Sequence, residues 1–247
     1  QDTNGLWVRD GNTNWVRWGN GDSHEIQASA NRIVVRNGTN LWTTTAANVA
    51  WQLISNTATE GSWKLSGDRI ALRDDNGLWV KDGNAGWVRW GNPDLQEIQL
   101  SGSRVVVRNE NNLWSTTAAN VAWQNISNTA TEGFWKLSGD RVVVQDPNGL
   151  WVRDGDTSWV RWGNGDSHEI QVSSNRLVVR NGTNIWTTTA ANIAWELVSN
   201  TATEGFWKLS HDRIVLQDTN GLWVRDGNTN WVRWGNGDSH EVQISKD

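Results

Sequence analysis

Runs of about four apolar and β-branched residues alternate with clusters of Gly, Asn, Asp and Ser along the whole chain. The first such runs are Leu6–Arg9, Trp15–Trp18, Glu25–Ala28 and Arg32–Val35, and their composition predicts short strands. Between them lie Asp2-Thr-Asn-Gly5, Asp10-Gly-Asn12 and Gly19-Asn-Gly-Asp22, where Gly and Asn tolerate the positive φ of tight turns. No segment keeps an apolar period of 3.6, so no helix is expected.

The pattern repeats. Gly-Leu-Trp or Asn-Leu-Trp recurs at Trp7, Trp42, Trp79, Trp114, Trp151 and Trp223, with Ile-Trp at Trp186. These mark seven units, alternately 35 and 37 residues long, and three tryptophans per unit account for all 21. Odd units read like Asp2 to Gln27 and even units like Asn40 to Leu65, so the duplicated block is a pair. Residues 2–25 recur unchanged at 218–241.

Four short strands per unit cannot bury a face alone. Stacking such sheets around an axis buries both faces of each and leaves short edges. The expected fold is therefore all-β, a seven-bladed β-propeller filling residues 1–247 as one domain. The Arg-Ile/Val strand occurs six times, from Arg32, Arg69, Arg104, Arg141, Arg176 and Arg213. The closing blade is expected with three strands, or with its fourth removed upstream; the lack of Met before Gln1 fits removal.

Composition narrows the function. The net charge is −5, with Lys and Arg scattered singly, which argues against a nucleic-acid footprint. No apolar run is long enough for a membrane span. With no Cys, disulfides, thiol catalysis and Cys–metal sites are excluded together. His24, His168 and His240 are equivalent positions, but the third unit has Gln96, and no two histidines fall at zinc-ligand spacing. No metal and no cofactor are expected. Sequons at Asn37, Asn125 and Asn181 are expected by chance in a chain so rich in Asn and Thr.

The sharpest motif is Trp-Val-Arg-Trp at 15–18, 87–90, 159–162 and 231–234. Even units place Ile54, Ile126 or Val198 where its second Trp stands, so an aliphatic side chain suffices to build the blade there. The extra indole suits the apolar face of a sugar, and adjacent polar groups suit its hydroxyls. The expected platform is Trp18, Trp90, Trp162 and Trp234. Arg17, Arg89, Arg161 and Arg233 would orient hydroxyls, with Asn20, Asn92, Asn164 and Asn236 beside them and Asp22, Asp94, Asp166 and Asp238 as acceptors. The loop Ser-Asn-Thr-Ala-Thr-Glu-Gly at 55–61, 127–133 and 199–205 lies on the same rim, as a second wall or as a capped turn. Carboxylates such as Asp10, Asp22 and Glu25 repeat around the chain, whereas a propeller enzyme assembles one unique site; no catalytic residue is assigned.

Segments such as Trp18-Gly, Glu25-Ile-Gln, Arg32-Ile-Val-Val and Asn40-Leu-Trp42 resemble tectonin repeats in pattern and length. The resemblance runs unit by unit over the chain. It implies a β-propeller lectin of the tachylectin-1-like and fungal tectonin kind, binding glycans or lipopolysaccharide on microbial surfaces. The chain departs from that pattern in its strict two-type alternation and in having seven units. The expected function is a multivalent lectin for cell-surface glycans, extracellular or at a cell surface, with up to three sites of one kind. The rival is a protein-interaction scaffold, which predicts one asymmetric patch.

Overall fold

The computed structural model describes all residues except 31, 47, 48, 192, 240 and 245–247. His240 lies outside the described residues. Among those described there are 26 strands and no helix. They form seven antiparallel sheets, six of four strands and one of two. Sheet 1 holds Leu6–Val8 and Val16–Gly19. Sheet 2 holds Glu25–Ala28, Ile33–Asn37, Asn40–Thr44 and Gln52–Ser55, in that order. Sheets 3 to 7 repeat this up-and-down order over residues 63–91, 97–127, 135–163, 169–199 and 207–235. The sheets are half a unit out of phase with the sequence repeat. Each four-stranded sheet takes two strands from one unit and two from the next.

The chain packs as two compact units, residues 1–109 with 114–124 and residues 110–113 with 125–247. In the first, Val34, Leu41 and Ala58 pack against Trp63, Ile70 and Leu72. Further along, Ala71, Leu78 and Val80 pack against Ile98, Val105 and Val107. In the second, Val143, Leu150 and Val152 meet Ile170, Leu177 and Val179. The second strand of each four-stranded sheet is apolar on both sides, as in Val105-Val106-Val107, because both of its faces are covered. Trp63, Trp135 and Trp207 are fully buried. Each such indole removes roughly 150–250 Å² from water, worth about 4–6 kcal/mol.

Polar side chains tie neighbouring sheets together. Gln27 Oε1 accepts the Leu65 N–H at 2.9 Å while its Nε2 donates to the Trp63 carbonyl at 3.2 Å. A second tie uses the tryptophan that precedes each outermost strand. Trp51, Trp87, Trp123, Trp159, Trp195 and Trp231 donate their indole N–H to the carbonyls of Trp18, Ile54, Trp90, Ile126, Trp162 and Val198 at 2.6–2.8 Å. Trp15, the same residue in sheet 1, makes no such bond and is 61 % exposed.

Sheet 1 has only its two outer strands. Ile26 on sheet 2 is accordingly 41 % exposed, where its equivalent Ile98 is 3 %. The third strand expected for the closing blade is not formed among the described residues: Glu241–Ile244 carry no ladder. In every other sheet this segment's ladder partner is the Arg-Ile/Val strand, and sheet 1 has none to offer. Val242 still packs on Val215 and Val224, as its equivalent Ile170 packs on Val143 and Val152.

Candidate functional site

A β-bulge sets up the site. In sheet 5, Leu150 pairs with Gly163 and Trp151 with Arg161, so Trp162 is the extra residue between them. Sheets 1, 3 and 7 carry the same irregularity at Trp18, Trp90 and Trp234, and sheets 2 and 6 carry it at Ile54 and Val198, so the bulge belongs to both unit types and the indole in it only to the odd ones. A bulge re-aims a side chain out of the regular alternation. The following residue is Gly, and this matters. A Cβ on Gly19 would stand 3.3 Å from the Trp51 indole nitrogen, and on Gly163 3.2 Å from the Trp195 ring. Glycine gives the closest approach at Gly19 and Gly163; at Gly91 a Cβ would stand 3.6 Å from the Trp123 ring, and the even units make the same tie with Ser55, Ser127 and Ser199 at this position.

Cavities open beside these contacts. One, of about 330 Å³, is lined by Leu6, Gly19, Asn20, Asp22, Ser23, Val35, Asn37, Trp42 and Trp51. The second, of about 460 Å³, has Trp90, Asp94, Leu95, Asn109, Trp114 and Trp123 in its wall. The third, of about 540 Å³, has Trp162, Asp166, Ser167, Asn181, Trp186 and Trp195. All three are the same junction, repeated at the period of the paired unit. Asn37 Nδ2 donates to Asp22 at 2.9 Å, and Asn181 Nδ2 to Asp166 at 3.2 Å.

A second kind of junction alternates with the first. Ile126, Ser127, Asn128, Thr129, Val144, Asp146, Trp151 and Trp159 line a smaller space of about 260 Å³. Its polar groups satisfy one another. Asp146 Oδ1 accepts the Trp151 indole N–H at 3.1 Å and the backbone N–H groups of Asn148 and Gly149 at 2.8 and 3.0 Å. At the equivalent junctions the Thr57 and Thr201 hydroxyls donate to Asp74 and Asp218. Partial burial pushes the Asp146 carboxyl up, but the Trp151, Asn148, Thr129 and Gly149 donors outweigh it and hold the pKa below the ordinary value.

The difference between the two kinds rests on one position. Five residues before the Leu-Trp tryptophan, odd units carry Asp2, Asp74, Asp146 and Asp218, and even units carry Asn37, Asn109 and Asn181. Each Asp takes up the indole N–H of its own tryptophan. In the even units the indole N–H of Trp42, Trp114 and Trp186 has no hydrogen-bond partner among the described residues. These three part-exposed indoles line the three cavities of the first kind.

The expected platform residues are distributed unevenly. Asn20, Asn92 and Asn164 and Asp22, Asp94 and Asp166 line the cavities. Trp90 and Trp162 line theirs, each with a guanidinium over its ring, Arg69 at 5.3 Å and Arg141 at 5.0 Å. Trp18 is half-buried against Leu6, Ile33 and Val35. Arg17, Arg89, Arg161 and Arg233 pair across from Trp7, Trp79, Trp151 and Trp223, on the opposite face of the sheet. Arg17 and Arg161 touch the cavities only by reaching back to the side-chain oxygens of Asn20 and Asn164 at 3.5 and 3.4 Å. In the fourth copy Arg233, Trp234, Asn236 and Asp238 are all exposed, with Arg213 5.5 Å over the Trp234 ring. The residues that sequence reasoning missed are Asn37, Trp42 and Trp51 and their copies. The Asp/Asn alternation was the signal that could have found them.

The loop at 55–61 is tied down by hydrogen bonds, and its copy at 127–129 lines the space of the second kind. Ala58 N–H donates to the Thr39 carbonyl, Thr57 to Asp74, and Gly61 N–H to Glu25. His24 and His168 accept the Gly38 and Gly182 N–H through Nδ1 at 3.3 and 3.2 Å, at hairpin turns where glycine supplies a positive φ. No group of three His, Asp or Glu side chains among the described residues could hold a metal ion.

No family model and no curated protein sequence is similar to the chain. Solved structures are. Hsv2 of Kluyveromyces lactis superposes with a TM-score of 0.54 at 11 % identity, over 79 % of this chain and 70 % of that one. A chain of the mitotic checkpoint complex gives 0.57 at 11 % identity, over 95 % and 90 %. The N-terminal domain of Nup159 gives 0.52 at 10 % identity, over 92 % and 80 %. These are β-propellers, and the likeness shows that fold for this chain.

Proposed function

We propose that the protein is a multivalent carbohydrate-binding protein, and that its sites are the three cavities of the first kind. One observation carries the reading. The same cavity recurs three times with a part-exposed indole whose N–H is unpaired, beside a carboxylate, two carboxamides and a second indole. Indole faces suit the apolar side of a sugar ring, and the polar groups suit its hydroxyls. Three weak sites on one chain gain up to about 10²–10⁴ in avidity on a surface that displays the sugar repeatedly. This supports a lectin similar to the tectonin type, working outside the cell or at its surface, and a binding protein instead of an enzyme.

A glycan array, with hits titrated by calorimetry, is the test. About three equivalent sites per chain are expected. The triple variant Trp42→Phe, Trp114→Phe, Trp186→Phe keeps an aromatic ring at each position and removes the free N–H together with the pyrrole half of the indole. It should weaken binding about tenfold; unchanged affinity in the folded variant refutes these cavities as the sites. The rival is a protein scaffold, favoured by neighbours found in assemblies such as the mitotic checkpoint complex. It predicts one partner per chain and a blank array.

A further inference from the structure

We propose that the three cavities select their sugar by charge and take a hexosamine residue with a free ammonium group. This rests on the glycan reading above and goes beyond it in naming the ligand class.

Each cavity contains one carboxylate, from Asp22, Asp94 or Asp166, and no Lys or Arg in its lining. Cations beside the walls are already engaged: Arg69 and Arg141 stand over the Trp90 and Trp162 rings while bonding Asp82 and Asp154, and Arg73 donates to the Leu95 carbonyl, so the indoles left to a ligand are those of Trp42, Trp114 and Trp186. Arg36 bonds Glu25 and the Gly38 carbonyl, and Arg180 bonds Glu169 and the Gly182 carbonyl. Arg108 bonds Glu97 and the Gln96 side chain. Arg17 and Arg161 sit on the far face and occupy the side-chain oxygens of Asn20 and Asn164.

The second kind of junction shows the contrast. There the carboxylate is saturated by its own indole, two backbone N–H groups and a threonine hydroxyl. In the first kind, Asn37 donates to one oxygen of Asp22, and the remaining lone pairs are open to a ligand. Two or three indoles stand around it: Trp42 and Trp51, then Trp90, Trp114 and Trp123, then Trp162, Trp186 and Trp195.

An ammonium group gains from both elements, the indole quadrupole and the carboxylate. A uronate, sialate or phosphate meets the like charge of the exposed carboxylate of Asp22, Asp94 or Asp166 and is repelled. The unpaired indole N–H is left to orient a hydroxyl or the ring oxygen. An N-acetyl group cancels the charge and falls between the two.

The test titrates the intact protein, by tryptophan fluorescence and calorimetry, with matched sugars in gluco, galacto and manno configuration. For each, the free hexosamine, its N-acetyl form and its uronic acid are compared, with choline as a sugar-free cation. One hexosamine should bind about tenfold tighter than its uronic acid, with the N-acetyl form between. The variant Asp22→Asn, Asp94→Asn, Asp166→Asn should reduce the hexosamine to the N-acetyl level while keeping its far-ultraviolet circular dichroism. A uronic acid or N-acetyl sugar that binds as tightly as the hexosamine overturns charge selection and leaves the glycan reading intact. If no sugar binds, or if choline binds as tightly as the best hexosamine, the glycan reading itself falls.

Discussion

The indole N–H of Trp151 donates to the Asp146 carboxylate at 3.1 Å, and this bond closes the junction in which both residues sit. One sheet further on, Asn181 stands where Asp146 does and Trp186 where Trp151 does, and the bond is absent. Restoring the carboxylate should therefore close the open cavities. The triple variant Asn37→Asp, Asn109→Asp, Asn181→Asp is expected to fold, and to weaken binding of the best array hit about tenfold or more. It also sets a second carboxylate beside Asp22 and its copies, which favours an ammonium, so the loss should be larger for a neutral sugar than for a hexosamine. Unchanged affinity would mean that the indole N–H is not used.

The indole-to-carbonyl ties between sheets give an internally controlled test. Trp123→Phe removes the 2.7 Å bond to the Trp90 carbonyl and leaves that carbonyl without its donor. The expected cost is about 1–2 kcal/mol. Trp15→Phe, at the position that makes no tie, should cost less than about 0.5 kcal/mol. Urea denaturation of both variants decides it, and equal losses would refute the role given to the tie.

Acid should destabilise the protein through Glu25 and Glu169. Partial burial pushes each carboxyl up. The donors outweigh it: Gly61 N–H, Arg36 and Trp63 around Glu25, and Trp207, Arg180 and Gly205 N–H around Glu169. Both pKa values are thus held below the ordinary range. The unfolded chain binds these protons more tightly, so the stability they contribute is complete above the ordinary pKa of about 4.3. It is lost as pH falls through the folded values. Thermal midpoints measured from pH 7 to pH 3 should drop below about pH 4. Glu25→Gln with Glu169→Gln should lower the midpoint at pH 7 and flatten the profile.

His211 occupies a turn at φ 50, where Gly67 and Gly139 have φ 58 and 59. A side chain in that region costs about 1 kcal/mol. His211→Gly is expected to stabilise the protein by about 0.5–1 kcal/mol, and Gly139→His to destabilise it by a similar amount. A neutral or destabilising His211→Gly would show that the 3.4 Å contact between the Ser210 hydroxyl and His211 Nδ1 offsets the backbone cost.

Local pattern carried most of the fold. The expected strands at Leu6–Arg9, Trp15–Trp18, Glu25–Ala28 and Arg32–Val35 lie within two residues of those observed. Turn chemistry and β-branched composition act over a few residues, so they can be read directly. The division of the strands among sheets could not be read, because the repeat begins at an arbitrary phase and the sheets begin half a unit later.

The site was legible in part. Asn20, Asn92 and Asn164 and Asp22, Asp94 and Asp166, expected from their polar turns, line the three cavities, whereas Asn236 and Asp238 are exposed and line none of the three. Arg17 pairs across from Trp7, away from the cavity, because adjacent residues on a strand point to opposite faces, and only that pairing shows which face each takes. The bulge that carries Trp162 leaves no mark in composition.

The sequence by itself determined seven repeated units, all-β structure and two alternating unit types, since each follows from periodicity and residue chemistry along the chain. Only the tertiary structure decided that the alternation separates saturated junctions from open ones. The contacts responsible join residues far apart in the chain, Asn37 to Asp22 and Trp51 to the Trp18 carbonyl, and stacking of neighbouring sheets brings them together.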